Sequence, residues 1–221
     1  AYRIWMTQAN INEWNLREKN SNYPLDCTFA YGNSRVIYNA GTLYSGSPWH
    51  TPNYGGPLGS FPSDYELNFE GDETFMGSAD FVLNSQTDYE TFFAGDASAQ
   101  NEDTAYWFGR KLGLGYNHKR IVRVFFNGQP RFMLYFDAQQ PNNEIVSQYF
   151  PNDDKGHLHK IEDWFEFDDA GSGFEVQTAR LLNYTTTGGA KKTARYRWNF
   201  RPRAVHGSPN DFTDLFTLAD A

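Results

Sequence analysis

Asn127-Gly128 stands between two apolar runs, residues 121–126 and 132–136, and no other local feature constrains the chain as strongly. Both residues tolerate the positive φ of a tight turn, so the pair predicts a β-hairpin. Pro130 is expected to lengthen the turn, since it has no backbone N–H to give to a ladder. The same grammar recurs upstream. Asp26-Cys27-Thr28-Phe29-Ala30-Tyr31 alternates, Gly32-Asn33-Ser34-Arg35 turns, and Val36-Ile37-Tyr38 returns. Residues 65–69 and 80–83 read as further strands, 158–167 and 174–182 as another hairpin, and 194–201 as a strand of sharp alternation.

Helical spacing marks four segments. In residues 7–20, Ile11, Trp14 and Glu18 recur every three to four positions behind Thr7 or Asn10 as cap. Residues 101–112 carry the clearest pattern. Asn101 is the expected cap, Glu102 and Asp103 suit the positive end of the dipole, and Gly113 fits the C′ position. Ala105, Phe108 and Leu112 form a stripe expected to cover the apolar side of the sheet. Residues 142–149 and 211–220 complete the set, the last with Phe212, Leu215, Phe216 and Ala219 on one face. The fold class expected is α+β, a mainly antiparallel β-sheet with a few helices packed on it, in a single domain over residues 1–221.

Such a core has to be built from rings. Aromatics make up 18% of the chain, as 19 Phe, 14 Tyr and 6 Trp, and each buries about 150–250 Å². The net charge of −8 excludes a general nucleic-acid binder and argues against docking on anionic membranes. No apolar run approaches the roughly 20 residues of a spanning helix. Cys27 is alone, so it forms no intrachain disulfide and reads as a small buried hydrophobe. The chain starts at Ala1 and stops within a helical pattern, as expected of a segment of a larger exported protein whose partners include the other domains of its parent chain.

The text of residues 100–140 goes further. Glu102-Asp103-Thr104-Ala105-Tyr106-Trp107 is followed by Leu112-Gly113-Leu114, then by Arg120-Ile121-Val122-Arg123-Val124-Phe125-Phe126-Asn127-Gly128, then by Leu134-Tyr135. This order of helix, Gly, strand, Asn-Gly turn and aromatic-bearing strand resembles the middle of the spore-coat CotH kinase-like family. Arg3-Ile4-Trp5-Met6-Thr7 and Tyr65-Glu66-Leu67-Asn68-Phe69 resemble its earlier strands, and Asn210-Asp211-Phe212-Thr213-Asp214-Leu215-Phe216 its next helix. The resemblance implies the first lobe of an extracellular or cell-surface atypical kinase that phosphorylates protein with ATP and Mg or Mn. Two departures accompany it. Phe61-Pro62-Ser63-Asp64 stands where a nucleotide-binding lysine is expected, and no Asp-rich catalytic text follows residues 211–220. The resemblance therefore implies the N-terminal portion of a kinase module and not a complete enzyme.

Several residues could carry chemistry. On a strand at 194–201, Tyr196, Trp198 and Phe200 would share one face, and Arg195, Arg197 and Arg201 the other. Lys191, Lys192 and Arg203 flank them, so six of the 19 basic residues fall within 13 positions. That face reads either as a nucleotide- or anion-binding surface, through bidentate arginine geometry, or as a solvated face paired with the chain's own carboxylates. By analogy with kinase folds, Glu102 would pair with a lysine. The long loop 45–63 holds Trp49 and Tyr54, candidates for stacking on a sugar ring, or packs on itself. His157 and His159 have the spacing of metal ligands on a strand. Asp153-Asp154 is an oxygen-rich turn of the kind calcium takes, without the spacing of an EF-hand loop. Besides the kinase portion, two further readings stand: a carbohydrate-binding module and a structural module of an exported multidomain protein.

Overall fold

The computed structural model describes residues 1–18, 21–45, 56–59, 64–85, 100–161 and 181–221. They divide into two compact units, residues Ala1–Gln140 and Pro141–Ala221. No helix among the described residues is long and apolar enough to cross a membrane.

The first unit is a closed barrel. Its elements are β1 (Tyr2–Trp5), α1 (Gln8–Leu16), β2 (Leu25–Tyr31), β3 (Arg35–Ser45), β4 (Asp64–Asn68), β5 (Asp80–Ser85), α2 (Asn101–Lys111), β6 (Lys119–Phe126) and β7 (Gln129–Gln139). The strands follow each other in the order β1-β2-β3-β4-β5-β7-β6. All neighbours are antiparallel except the closing pair, where β1 lies parallel to β6 with Tyr2 opposite Val124 and Ile4 opposite Phe126. The mainly antiparallel α+β class holds, but the open sheet becomes a barrel. Closure removes the free edges that a sheet of this size would otherwise expose.

The aromatic surplus fills the interior. Phe29 packs edge-on against Tyr2 and Phe75, with centroids 5.1 and 4.9 Å away. Trp14 of α1 seals the end of the barrel where β1 stops, edge-on to Tyr44 at 5.0 Å and to Phe126 at 6.1 Å. Thr7 caps α1 by accepting from the Asn10 amide, so the expected helix forms and turns Ile11 and Trp14 inward.

The β6–β7 hairpin is tighter than expected. Asn127 and Gly128 take φ of 47° and 78°, and Phe126 pairs directly with Gln129. Pro130 enters β7 opposite Phe125, where a register shift absorbs its missing N–H. Asn127 also extends the closing seam. Its amide donates to Ile4 O at 2.8 Å. Its side-chain Oδ1 accepts from Met6 N at 2.7 Å, and its Nδ2 donates to Met6 O at 2.9 Å.

The segment from 101 is helical, and Gly113 takes φ +71°. Gln100, not Asn101, occupies the cap position, without a side-chain hydrogen bond. The stripe does not cover the barrel: Phe108 is 55% and Leu112 72% exposed, and Ala105 is exposed as well. Tyr106 is the residue on the barrel side. Lys119 Nζ sits 5.6 Å from its ring and 3.7 Å from the ring of Phe136.

The second unit holds α3 (Asn143–Tyr149), β8 (Leu158–Ile161), α4 (Thr193–Asn199), β9 (Phe200–Ala204) and α5 (Thr213–Asp220). Asn142 caps α3, its Oδ1 accepting from Glu144 N at 3.2 Å. β8 pairs with β9; the hairpin expected from 158–167 and 174–182 falls largely on residues 162–180, which lie outside the described ones. The strand expected at 194–201 is a helix that becomes a strand at Phe200. Tyr196 and Phe200 are four apart, a spacing that satisfies a helix and a strand equally. Both are buried with Phe212, and Leu215, Phe216 and Ala219 of α5 pack against them.

Candidate functional site

The arginine-bearing segment does not present one charged surface. About 200° of helical rotation separates Arg195 from Arg197. The Arg195 guanidinium lies 4.9 Å from the centroid of the Tyr184 ring. Arg197 Nη2 donates to Asn210 Oδ1 at 2.6 Å. Arg201 is exposed on β9, and Arg203 Nε donates to Pro141 O at 3.0 Å. The helix thus scatters the guanidiniums that a strand would have aligned. The side chains of Glu102 and Trp198, and residues Trp49 and Tyr54 entirely, lie outside the described ones.

His157 and His159 do come together, with ring centroids 6.3 Å apart. Each is engaged elsewhere: His157 Nδ1 is 3.5 Å from Asp214, and His159 Nδ1 is 3.2 Å from Phe200 O. Burial and the neighbouring His157 hold the His159 imidazole below its usual range, against the pull of the Phe200 carbonyl. Asp154 pairs with Lys155 at 3.4 Å, and the Asp153 amide closes a turn onto Phe150 O. Among the described residues, no group of three or more His, Cys, Asp or Glu could hold a metal ion. Cys27 is buried, and burial with Asp26 pushes its thiol up to about 12, so it stays protonated and unreactive.

Two polar clusters inside the barrel went unread in the sequence. At the end where β1 and β6 begin, Asp137 Oδ2 accepts from Tyr2 Oη and from Arg120, with Nε at 2.8 Å and Nη2 at 2.7 Å. The Arg120 guanidinium also lies 5.7 Å from the centroids of the Tyr2 and Tyr31 rings. Burial first, and Asp137 second, push the Tyr2 hydroxyl far above its usual range. It remains a donor.

The opposite end carries the stronger candidate. Arg131, only 7% exposed, donates through Nη2 to Gly59 O at 2.8 Å. Tyr65 Oη donates to Pro57 O at 3.1 Å. Asp64 Oδ1 accepts from Ser85 N at 2.6 Å. Residues 56–59 close a turn, Gly59 N to Gly56 O at 3.1 Å, over this cluster. Gly56 has φ +88°, and a Cβ there would fall 1.9 Å from Asn15 Oδ1. That close approach explains a glycine at this point of the loop. Burial raises the hydroxyls of Tyr65 and Tyr135, and pushes that of Tyr44 up to about 12. The cluster therefore offers a fixed cation and protonated phenols. With the Asp64 carboxylate held on Ser85 N beside them, these groups suit binding and positioning. The sequence signal was available in outline: Arg131, Tyr135 and Asp137 share one side of β7 by the period of two. No protein-family model matches the chain, and no curated protein does either.

Proposed function

We propose that this chain is the N-terminal portion of a CotH-like atypical protein kinase module of an exported or surface protein, using ATP and Mg or Mn when the module is whole. One observation supports this reading above others. The family-like text at 100–140 corresponds to a helix, a left-handed Gly113, a strand, a two-residue Asn127-Gly128 turn and a returning strand. In this reading Arg197 and Arg201, both exposed, are the members of the basic segment able to meet an anion, and Arg131 anchors the turn at 56–59. The exposed Tyr23, Tyr38 and Trp107 favour a second reading, a non-catalytic module that stacks on sugar rings.

A thermal-shift screen separates the two. ATP with Mg²⁺ or Mn²⁺ at a hundredfold excess over Kd adds about 2.7 kcal/mol, which raises Tm by about 5–10 °C for a chain of this size. The kinase reading expects that shift with nucleotide and none with soluble glycans. A flat response to nucleotide removes it, and a shift with glycan alone installs the second.

A further inference from the structure

We propose that Met76 is a site of reversible oxidation by hydrogen peroxide, at which Arg120 selects one sulfoxide epimer and then holds its oxygen. Residues 75–78 form a two-residue turn between β4 and β5. Phe75 N donates to Ser78 O and Ser78 N to Phe75 O, each at 3.0 Å. Met76 has φ +53° and Gly77 φ +80°. The first central position of such a turn suits Asn, Asp or Gly, and a bulky side chain there is strained. Strain of this kind collects at functional positions. The turn is also anchored, because Phe75 is buried with its ring 5.7 Å from that of Tyr2.

Sulfur chemistry accounts for a methionine at this position. Met76 is 62% exposed, yet Arg120 Nη2 donates to its Sδ at 2.9 Å. The same guanidinium is fixed by Asp137 and by the Tyr2 hydroxyl. A thioether sulfur has two lone pairs; Arg120 occupies one, and solvent reaches the other. The open lone pair attacks one oxygen of the peroxide. The S–O bond forms as the O–O bond breaks, and the sulfur gives up two electrons. The departing hydroxide takes the proton of the transferred hydroxyl and leaves as water. With one lone pair open, one epimer forms. Rotation about the Cγ–Sδ bond then brings the new oxygen onto Arg120 Nη2. That oxygen accepts more strongly than the thioether did, and the bond is charge-assisted. Oxidation therefore tightens the turn onto the cluster of Arg120, Asp137 and Tyr2. Met6 is buried and is spared.

Treating the full chain with hydrogen peroxide, then digesting it for mass spectrometry, tests this. The Met76 peptide should gain its oxygen before the Met6 peptide does. Methionine sulfoxide reductases, one enzyme for each epimer, then read the stereochemistry of the released peptide. One of them should restore nearly all of it and the other nearly none. Because Asp137 and Tyr2 rely on Arg120, the control is the parent chain oxidised in urea, where each reductase should restore about half. Oxidation of the native chain should also raise Tm by about 2–4 °C, and Met76→Leu should abolish that rise. Equal amounts of the two epimers from the native chain overturn the proposal. So does a Tm that is unchanged or lower after oxidation, or a rise that persists in Met76→Leu.

Discussion

Asn127 closes the barrel, and its replacement measures how much that closure is worth. The parallel seam has three residue pairs between β1 and β6. Asn127 lengthens it with two side-chain hydrogen bonds to the Met6 backbone, at 2.7 and 2.9 Å, in a part-buried setting. Each is worth about 0.5–1.5 kcal/mol net, and more where a backbone group is left unsatisfied. Its φ of 47° costs an alanine about 1 kcal/mol that asparagine and glycine largely avoid. Asn127→Gly should therefore cost about 1–3 kcal/mol and Asn127→Ala about 2–4 kcal/mol. Asn127→Asp keeps the acceptor for Met6 N but turns a carboxylate towards Met6 O. It should be worse than glycine at neutral pH and recover partly as the carboxyl protonates in acid. Urea unfolding followed by tryptophan fluorescence reads these differences, because Trp14 is buried at the end of the barrel beside this seam. If Asn127→Gly unfolds within about 0.5 kcal/mol of the parent, the side chain does not hold the seam and the reasoning fails.

Three further outcomes follow from the same geometry. Asp137→Ala leaves Arg120 and the Tyr2 hydroxyl without their shared acceptor and should cost about 3–5 kcal/mol. Combining it with Arg120→Met should cost less than the sum, and a double-mutant cycle in urea that shows strict additivity contradicts the cluster. The His159 imidazole is held below its usual range, so its neutral form is the one the fold prefers. Its contribution is present above pH ~6.5 and is lost as pH falls from there through the lowered folded value. Urea midpoints for the second unit should drop over that window, and His159→Phe should flatten the drop; an equal slope in the variant counts against it. Cys27, buried with its thiol at about 12, should react with a disulfide reagent only in denaturant. Fast labelling of the native chain would show that the barrel opens.

What could be read from the residues alone was what the residues settle locally. Thr7 before an apolar spacing fixes α1, and Asn127-Gly128 fixes its hairpin, because both act within a few positions. The helix at 101 was legible, but its orientation was not. Amphipathicity states which side is apolar and says nothing of what lies opposite, and here Tyr106, not Phe108, is on the barrel side. At 194–201 the misreading has a single cause. Tyr196 and Phe200 are four apart, and a spacing of four fits both regular periods; good helix formers such as Ala194 and Arg195 then decide. Barrel closure was out of reach, since nothing in the text of β1 names β6 as its partner. The interior clusters followed from that gap. Arg131 and Asp137 look like ordinary strand charges until the register shows them pointing inward.

The parallel seam also dictates an order of events. Tyr2 and its partner Val124 are about 120 residues apart, with the five other strands of the barrel bracketed or flanked by that interval. Hairpins such as β2–β3 and β6–β7 can zip locally and early, but the ring cannot lock until β1 and β6, the paired strands farthest apart in sequence, meet. Until then β1 and β6 each present a raw, unpaired backbone. During synthesis that interval is a window in which nascent molecules can stick to one another, and a host producing this protein quickly would lean on its holdases to keep the ring from sealing onto a neighbour.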